Sequence, residues 1–282
     1  MLFWNKKKIV TDTYSQYGIP GHNFITNGCR IKVVIDPPKT YFSKELKKDT
    51  RNYDKLLLIH GCETPDINEI KQEVIIHSTS FDKICSFDRE VVDQCTNAEF
   101  FCFGSCWVLT DKNGKQVGMK DEYVNCFEPK SQFEVSFIHS NKRELPGHQL
   151  RYSILPLLAK EYKFRLNFPK ERVETKIALF KNAMFHITIE NSRYDNYITE
   201  KVIDCFMSYT IPIYWGCPNI SEHFDKNGII SFNTKEELKE ILDKLSPEDY
   251  LTRMEAVKRN YEIAKEGYAF FFDKINYFIS KL

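Results

Sequence analysis

The chain has 282 residues, of which 42% are hydrophobic and 28% are charged. A chain of this length and composition is globular and forms one large domain or two of ordinary size. Its 40 basic and 39 acidic residues give a formal net charge of +1. This balance argues against nucleic acid as the main ligand, because nucleic-acid-binding proteins usually carry a basic excess. No apolar run approaches the roughly 20 residues that cross a bilayer.

In the first half, short β-like runs alternate with polar, turn-rich segments. The predicted strands cover residues 31–35, 55–59, 74–77 and 99–103. A change in the character of the sequence near residue 130 predicts a division into two domains, 1–132 and 133–282.

In the second half, strands and helices alternate. The predicted strands cover residues 133–139, 183–189, 211–215 and 228–232. The predicted helices cover residues 149–162, 175–182, 199–209 and 234–245, and a further helix starts at Ser246-Pro247. Alternation of this kind predicts an α/β fold with a mostly parallel sheet and helices on both faces.

Nine cysteines occur at scattered positions, and no paired CxxC set suggests a zinc site. They predict reduced thiols in a cytoplasmic protein. The amino-terminal residues agree, because their charges follow the apolar residues, the reverse of a secretory signal. We expect no metal site.

The segment from Glu190 to Gly216 has the pattern of a nucleotide site at the carboxyl ends of parallel strands. A polar loop follows a buried strand, and a helix then begins with Glu200 and Lys201. Lys201 supplies a charge for a diphosphate in addition to the helix dipole, and Glu200 can accept hydrogen bonds from ribose hydroxyls. Asn191 and Tyr197 can complete the wall, although no glycine-rich loop is present.

The same residues have a simpler interpretation that the sequence leaves open. Thr199 would cap the helix, Glu200 would complement the helix dipole, and Lys201 would be exposed to solvent. Asp204 is expected to be an ordinary helix position, and His186 a core residue rather than a metal ligand.

Three runs with fixed spacing resemble the donor motif of the α1,3-fucosyltransferases, glycosyltransferase family ten, and especially that of its bacterial members. The runs are Phe185-His-Ile-Thr-Ile-Glu-Asn-Ser192, Ile198-Thr-Glu-Lys-Val-Ile-Asp204 and Ile211-Pro-Ile-Tyr-Trp-Gly-Cys-Pro218. The resemblance implies a GT-B-like fold, with two Rossmann-like domains facing a cleft. It also implies GDP-fucose as donor, inversion at the anomeric carbon and no obligatory metal or cofactor. The last helix is expected to pack back on the amino-terminal domain.

Carried over residue by residue, the resemblance assigns Asn191, Tyr197, Glu200 and Lys201 to the GDP-sugar site. It also suggests Arg151, whose guanidinium can bind phosphate oxygens bidentately. The alternative is that Arg151 is an ordinary helix-surface arginine. In that case the phosphate ligand would come from the preceding loop, with Arg143 first and Lys142 second.

Inverting transfer needs a carboxylate to take the proton of the acceptor hydroxyl. We expect this catalytic base to come from the first half of the chain. Glu63 follows an apolar predicted strand. It begins the run Glu63-Thr-Pro65, which resembles the Glu-Ser-Pro of the family. Asp66 is the alternative base, and Glu63 as an ordinary turn residue is the simpler interpretation.

Three functions therefore compete. The first is transfer of fucose from GDP-fucose to a glycan hydroxyl. The second is a non-catalytic module that binds a GDP-sugar or a glycan, and the third is a GT-B transferase that uses another nucleotide sugar. The sequence names neither the acceptor nor the oligomeric state. The absence of a membrane anchor suggests a soluble enzyme of microbial or viral origin.

Overall fold

The computed structural model describes residues 12–15, 30–61, 67–108, 128–169 and 176–282. The chain divides into two compact units. The first comprises Met1–Phe103 with Phe271–Leu282, and the second comprises Gly104–Phe270. These units are groups of residues in close contact, and the domain boundary between residues 132 and 133 stays a prediction.

In the first unit, a five-stranded parallel sheet has the strand order β1-β2-β3-β4-β5. Its strands are β1 (Asp12–Ser15), β2 (Ile31–Ile35), β3 (Lys55–His60), β4 (Lys83–Ser86) and β5 (Ala98–Phe100). Its helices are α1 (Lys39–Lys44), α2 (Leu46–Asn52), α3 (Ile67–Ile76) and α4 (Arg89–Gln94). Strand β2 is buried along its whole length, as expected of a parallel strand covered on both faces.

The strands predicted at 31–35 and 55–59 are confirmed, and the one predicted at 99–103 is shorter and ends at Phe100. The strand predicted at 74–77 is wrong, because residues up to Ile76 belong to α3. Val74 is buried and Ile76 is largely exposed. The apolar run therefore covers part of the buried face of a helix and one residue outside that face. A short apolar run does not distinguish a strand from a helical segment.

The second unit also contains a five-stranded parallel sheet, with the order β10-β9-β8-β6-β7. Its strands are β6 (Gln132–Phe137), β7 (Arg165–Asn167), β8 (Ala183–Ile189), β9 (Ile211–Trp215) and β10 (Ile230–Ser231). The central strand β8 is buried throughout and packs into one continuous apolar core with β6 and β9.

The other α-helices of the described residues lie in the second half of the chain. They are α5 (Pro146–Ser153), α6 (Leu155–Leu158), α7 (Ile177–Phe180), α8 (Glu200–Met207), α9 (Lys235–Lys244), α10 (Pro247–Leu251), α11 (Met254–Gly267) and α12 (Phe271–Ser280). The helix predicted over 149–162 is instead α5 followed by α6, since Pro156 in the first turn of α6 lacks an N–H and favours a helix start. The helices predicted over 234–245 and from Ser246-Pro247 are confirmed as α9 and α10, where Thr234 and Ser246 accept backbone hydrogen bonds as amino-terminal caps.

The predicted α/β class is confirmed, with one parallel sheet in each unit. In the part of the chain that the structure describes, none of the helices combines the length and apolar character needed to span a membrane. Strand β8 ends at Ile189 and α8 begins at Glu200. The intervening loop therefore lies at the carboxyl edge of the sheet, where α/β proteins bind their ligands.

Candidate functional site

A buried carboxylate joins the two ends of the loop between β8 and α8. Glu190 is 0% exposed, and Oε2 accepts a hydrogen bond of 2.6 Å from the Thr199 hydroxyl. The backbone N–H of Thr199 donates to Oε1 at 3.3 Å, and Nζ of Lys201 lies 3.6 Å from Oε2. Burial raises the pKa of Glu190, while the Lys201 ammonium opposes that rise. Glu190 thus holds both the cap and the first cation of α8.

Lys201 is directed back toward this carboxylate rather than into solvent. Its side chain is 23% exposed, and Nζ lies 3.1 Å from Oε1 of Glu200. Burial acts to lower the pKa of Lys201, but Glu200 and Glu190 together raise it. Thr199 does cap the helix, accepting from the backbone N–H of Lys201. The simpler interpretation is therefore right about the cap and wrong about a solvated lysine.

Glu200 lies between two ammonium groups. Oε1 is 3.1 Å from Nζ of Lys201 and 4.0 Å from Nζ of Lys176. Burial disfavours the charged carboxylate, yet the two lysines prevail and lower the pKa of Glu200 to about 2. Glu200 is consequently an anion at any physiological pH, as an acceptor of hydroxyl hydrogen bonds should be.

Sequence reasoning missed a second ion pair beside Glu200. Nζ of Lys176 lies 2.7 Å from Oδ2 of Asp204, and Oδ1 of Asp204 accepts from the backbone N–H groups of Trp107 and Val108 at 2.6 and 3.0 Å. Asp204 occupies the helix as expected, but it is fully buried and ties residues 107–108 to α8. The spacing of four residues from Glu200 was the available signal, since it places both carboxylates on one helix face.

Arg151 reaches the end of β8 from helix α5. Its Nε and Nη2 donate to the carbonyl oxygen of Ile189 at 3.1 and 2.8 Å, and Nη2 also donates to Oδ1 of Asn191 at 2.7 Å. The residue is 8% exposed. Burial lowers the pKa of Arg151, against the pull of Glu190 and Glu200. The alternative of an ordinary helix-surface arginine is therefore wrong.

Gly147 explains how α5 comes so close to the strand end. Its N–H donates to the carbonyl oxygen of Asn191 at 2.9 Å. A Cβ atom at this position would lie 1.7 Å from the carbonyl oxygen of Glu190. Only glycine fits, and the approach of this first turn brings Arg151 against Ile189.

Hydrogen bonds between Asn196 and Asn219 also stabilise the loop between β8 and α8. The backbone N–H of Asn196 donates to Oδ1 of Asn219 at 2.8 Å, and Oδ1 of Asn196 accepts from the Asn219 amide at 3.0 Å. Asn196 has a φ of 63°, a left-handed conformation that asparagine tolerates. The neighbouring Tyr197 is 2% exposed and lies near enough to Arg151 to affect its pKa. These contacts fix the loop between Asn191 and the helix cap.

The structure thus brings together all five residues predicted for donor binding. Arg151 contacts Asn191, and Lys201 contacts Glu200. Tyr197 lies in the loop that joins Asn191 to Glu200. Arg143, the first fallback cation, makes other contacts: its guanidinium lies 3.9 Å from the ring centroid of Tyr152 and donates to the carbonyl oxygens of Ser140 and Lys142. Glu63 and Asp66, the predicted base and its alternative, lie outside the described residues.

His186 is a core residue, as expected. Its Nδ1 lies 2.8 Å from Oγ of Ser136, and burial, assisted by Lys176, lowers its pKa to about 3. Within the described ranges, no three His, Cys, Asp or Glu side chains come together in a way that would hold a metal ion.

The site is therefore a set of three cations and three carboxylates at a helix amino terminus. The set comprises Arg151, Lys176, Lys201, Glu190, Glu200 and Asp204. Cations at a helix start favour phosphate groups, and a permanently charged glutamate beside them favours neighbouring hydroxyls. The geometry suits a ligand that carries both.

Comparison with known proteins identifies relatives. A model of glycosyltransferase family 10 (fucosyltransferase), C-terminal part, matches residues 104–267. The alpha-(1,3)-fucosyltransferase FucT of Helicobacter pylori is 32% identical over 71 residues, which are 25% of this chain and 15% of that protein.

Among solved structures, an α,α-trehalose-phosphate synthase (UDP-forming) of Burkholderia xenovorans, in complex with glucose-6-phosphate, is similar with a TM-score of 0.50. It is 9% identical, and the match covers 89% of this chain and 73% of that chain. This is a likeness of fold, in agreement with the GT-B-like class. An α1,3-fucosyltransferase structure with GDP-fucose gives a TM-score of 0.48 at 18% identity, covering 86% of this chain and 77% of that one.

The family match covers more than half of the chain and includes Arg151, the loop after β8 and helix α8. The chain therefore belongs to glycosyltransferase family 10, the fucosyltransferase family.

Proposed function

We propose that this protein is an inverting glycosyltransferase that moves fucose from GDP-fucose to a hydroxyl of a glycan acceptor, as an α1,3-fucosyltransferase does. The observation that carries this proposal is the grouping of Arg151, Glu200 and Lys201 at the carboxyl edge of the second sheet. It lies within the part of the chain that matches the family. The relative FucT supports the proposed activity by its name.

In this proposal, Lys201, Arg151 and the first turn of α8 bind the diphosphate. Their positive charge neutralises the leaving group as the bond to the sugar breaks, so that GDP departs without needing a proton. Glu200 accepts hydrogen bonds from the ribose hydroxyls. Asn191 orients Arg151 through the 2.7 Å contact.

Glu63 is the proposed base, which takes the proton of the acceptor hydroxyl as that oxygen attacks the anomeric carbon. Strand β3 ends at His60, three residues before it. Gly61 then turns the chain with a φ of 101°, and its N–H donates to Oδ1 of Asp36 at 2.5 Å. These contacts fix Gly61 at the carboxyl edge of the first sheet.

We further propose that transfer needs no bound metal, because Arg151 and Lys201 supply the charge that a divalent ion would otherwise provide. Cys85, Cys95, Cys102 and Cys205 are free thiols, which supports a cytoplasmic location. The proposed partners are a GDP-sugar and a glycan acceptor.

The test is a donor screen with purified protein. GDP-fucose, other GDP-sugars and UDP-sugars are each incubated with a glycan panel, with and without EDTA, and both transfer and donor hydrolysis are measured. We expect GDP-fucose to be consumed with or without EDTA. A folded protein that prefers UDP-sugars would contradict the family donor, and one that binds GDP without turnover would favour the binding-module alternative.

A further inference from the structure

Trp107 is an exposed tryptophan held in a fixed position. The residue is 52% exposed, whereas its neighbours Cys106 and Val108 are buried. The backbone N–H of Cys106 donates to Ala269 at 3.1 Å, and that of Trp107 donates to Asp204 at 2.6 Å. Single exposed hydrophobic residues are common, but the backbone of this one is anchored on both sides.

A chain of contacts leads from Trp107 to the proposed ribose site. The ammonium of Lys176 lies 4.9 Å from the centroid of the Trp107 ring. The same ammonium lies 4.0 Å from Oε1 of Glu200 and 2.7 Å from Oδ2 of Asp204. One side chain, Lys176, thus lies next to both the indole and the carboxylate that is proposed to bind the ribose.

We propose that Trp107 is the stacking platform for the nucleobase of the donor. The inference rests on the proposed function, in which Glu200 binds the ribose and Lys201 and Arg151 bind the diphosphate. The group that follows the ribose in a nucleotide, away from the phosphates, is the base. Every purine or pyrimidine has a π-face that an indole can cover, and the ammonium over the ring adds a cation–π contact that holds the indole in place.

A glycan acceptor is the competing occupant of this surface. The acceptor must approach the sugar end of the donor, on the far side of the diphosphate from the ribose. Lys176 forms ion pairs with Glu200 and Asp204, on the ribose side of the proposed site. The geometry therefore favours the base.

The test compares the affinities of GDP, UDP and inorganic pyrophosphate for the whole chain and for Trp107→Ala and Trp107→Phe. We expect Trp107→Ala to weaken GDP binding roughly 5- to 150-fold, the range for loss of an aromatic that stacks on a base. Pyrophosphate affinity should change less than twofold, and Trp107→Phe should retain most of the GDP affinity. In the wild type, GDP should also quench tryptophan fluorescence, and Trp107→Phe should remove that quenching.

Tyr277 offers a matched control in the first unit. It is 51% exposed, and the Lys281 ammonium lies 4.0 Å from its ring centroid, so Tyr277→Ala removes a similar exposed ring that is paired with a lysine. Unchanged GDP affinity in Trp107→Ala would overturn the inference, and so would equal losses for GDP and pyrophosphate. Unchanged GDP affinity together with a raised KM for the acceptor would assign the ring to the glycan instead. Failure of the wild type to bind GDP would reject the proposed function itself.

Discussion

Glu190 and Lys201 join the end of β8 to the first turn of α8, with Nζ of the lysine 3.6 Å from Oε2 of the glutamate. The same carboxylate accepts two hydrogen bonds from Thr199. The buried Glu190 side chain therefore fixes the loop that contains Asn191. It also fixes the direction of Lys201, which is proposed to bind the diphosphate.

Replacing Glu190 should weaken both the fold and the site. Glu190→Gln removes the charge that faces Lys201, and we expect the free energy of unfolding to fall by about 1–3 kcal/mol. GDP affinity should fall roughly tenfold, because Lys201 then pairs with Glu200 alone and loses its fixed direction. Denaturant unfolding and calorimetric titration with GDP measure the two effects.

The control for this variant is Glu240→Gln. Glu240 forms an exposed ion pair with Lys244, and such pairs contribute little, so neither quantity should change. If Glu190→Gln behaved like this control, the role assigned to Glu190 would be wrong.

Gly147→Ala should disrupt the approach of α5 to the strand end. The added methyl would lie 1.7 Å from a backbone carbonyl oxygen, so the helix must shift and the free energy of unfolding should fall by about 3 kcal/mol or more. Because that shift also moves Arg151, GDP affinity should fall as well. Gly267→Ala is the comparison, since a Cβ there meets nothing within 4 Å. Equal stability of the two variants would contradict this account of the close approach.

Arg151→Lys separates the proposed phosphate ligand from its alternative. A lysine cannot reproduce the Nε and Nη2 contacts with Ile189 and Asn191, so we expect GDP affinity to fall more than tenfold. Arg143→Lys should leave GDP affinity within twofold of the wild type, because the Arg143 guanidinium contacts the Tyr152 ring and the Ser140 carbonyl oxygen rather than Ile189 or Asn191. The opposite ranking of the two variants would transfer the phosphate role to Arg143.

The charge of Glu200 should contribute to stability in a defined pH range. Its pKa in the folded protein is about 2, below the value of about 4.3 for an unperturbed glutamate. The stabilisation is therefore complete above about pH 5 and is lost as the pH falls toward 2. The difference in free energy of unfolding between wild type and Glu200→Gln should shrink as the pH is lowered from 6 to 3. A difference that stays constant or grows would show that the two lysines do not stabilise the carboxylate.

Local sequence signals predicted the frame of the site well. Strands β8 and β9 are continuous apolar runs, and α8 has a threonine cap and one apolar face. These local patterns were enough to predict where the three elements lie in the chain. The family resemblance also suggested Arg151, which lies 40 positions before Asn191 and contacts it.

The missed parts depend on contacts between distant residues. Lys176 pairs with Asp204 across 28 positions, and Asp204 binds the backbone of Trp107 across 97. A lysine and an aspartate at such separations look like ordinary surface residues in a sequence. Only the folded chain shows that burial makes their pairing obligatory.

The most direct test of the central claim is fucose transfer measured with GDP-fucose, a glycan panel, the wild type and Glu63→Gln. The account predicts a fucosylated product with the wild type, and a loss of transfer by more than a hundredfold in Glu63→Gln with GDP affinity unchanged. A folded wild type that binds GDP yet neither transfers nor hydrolyses the donor would contradict it.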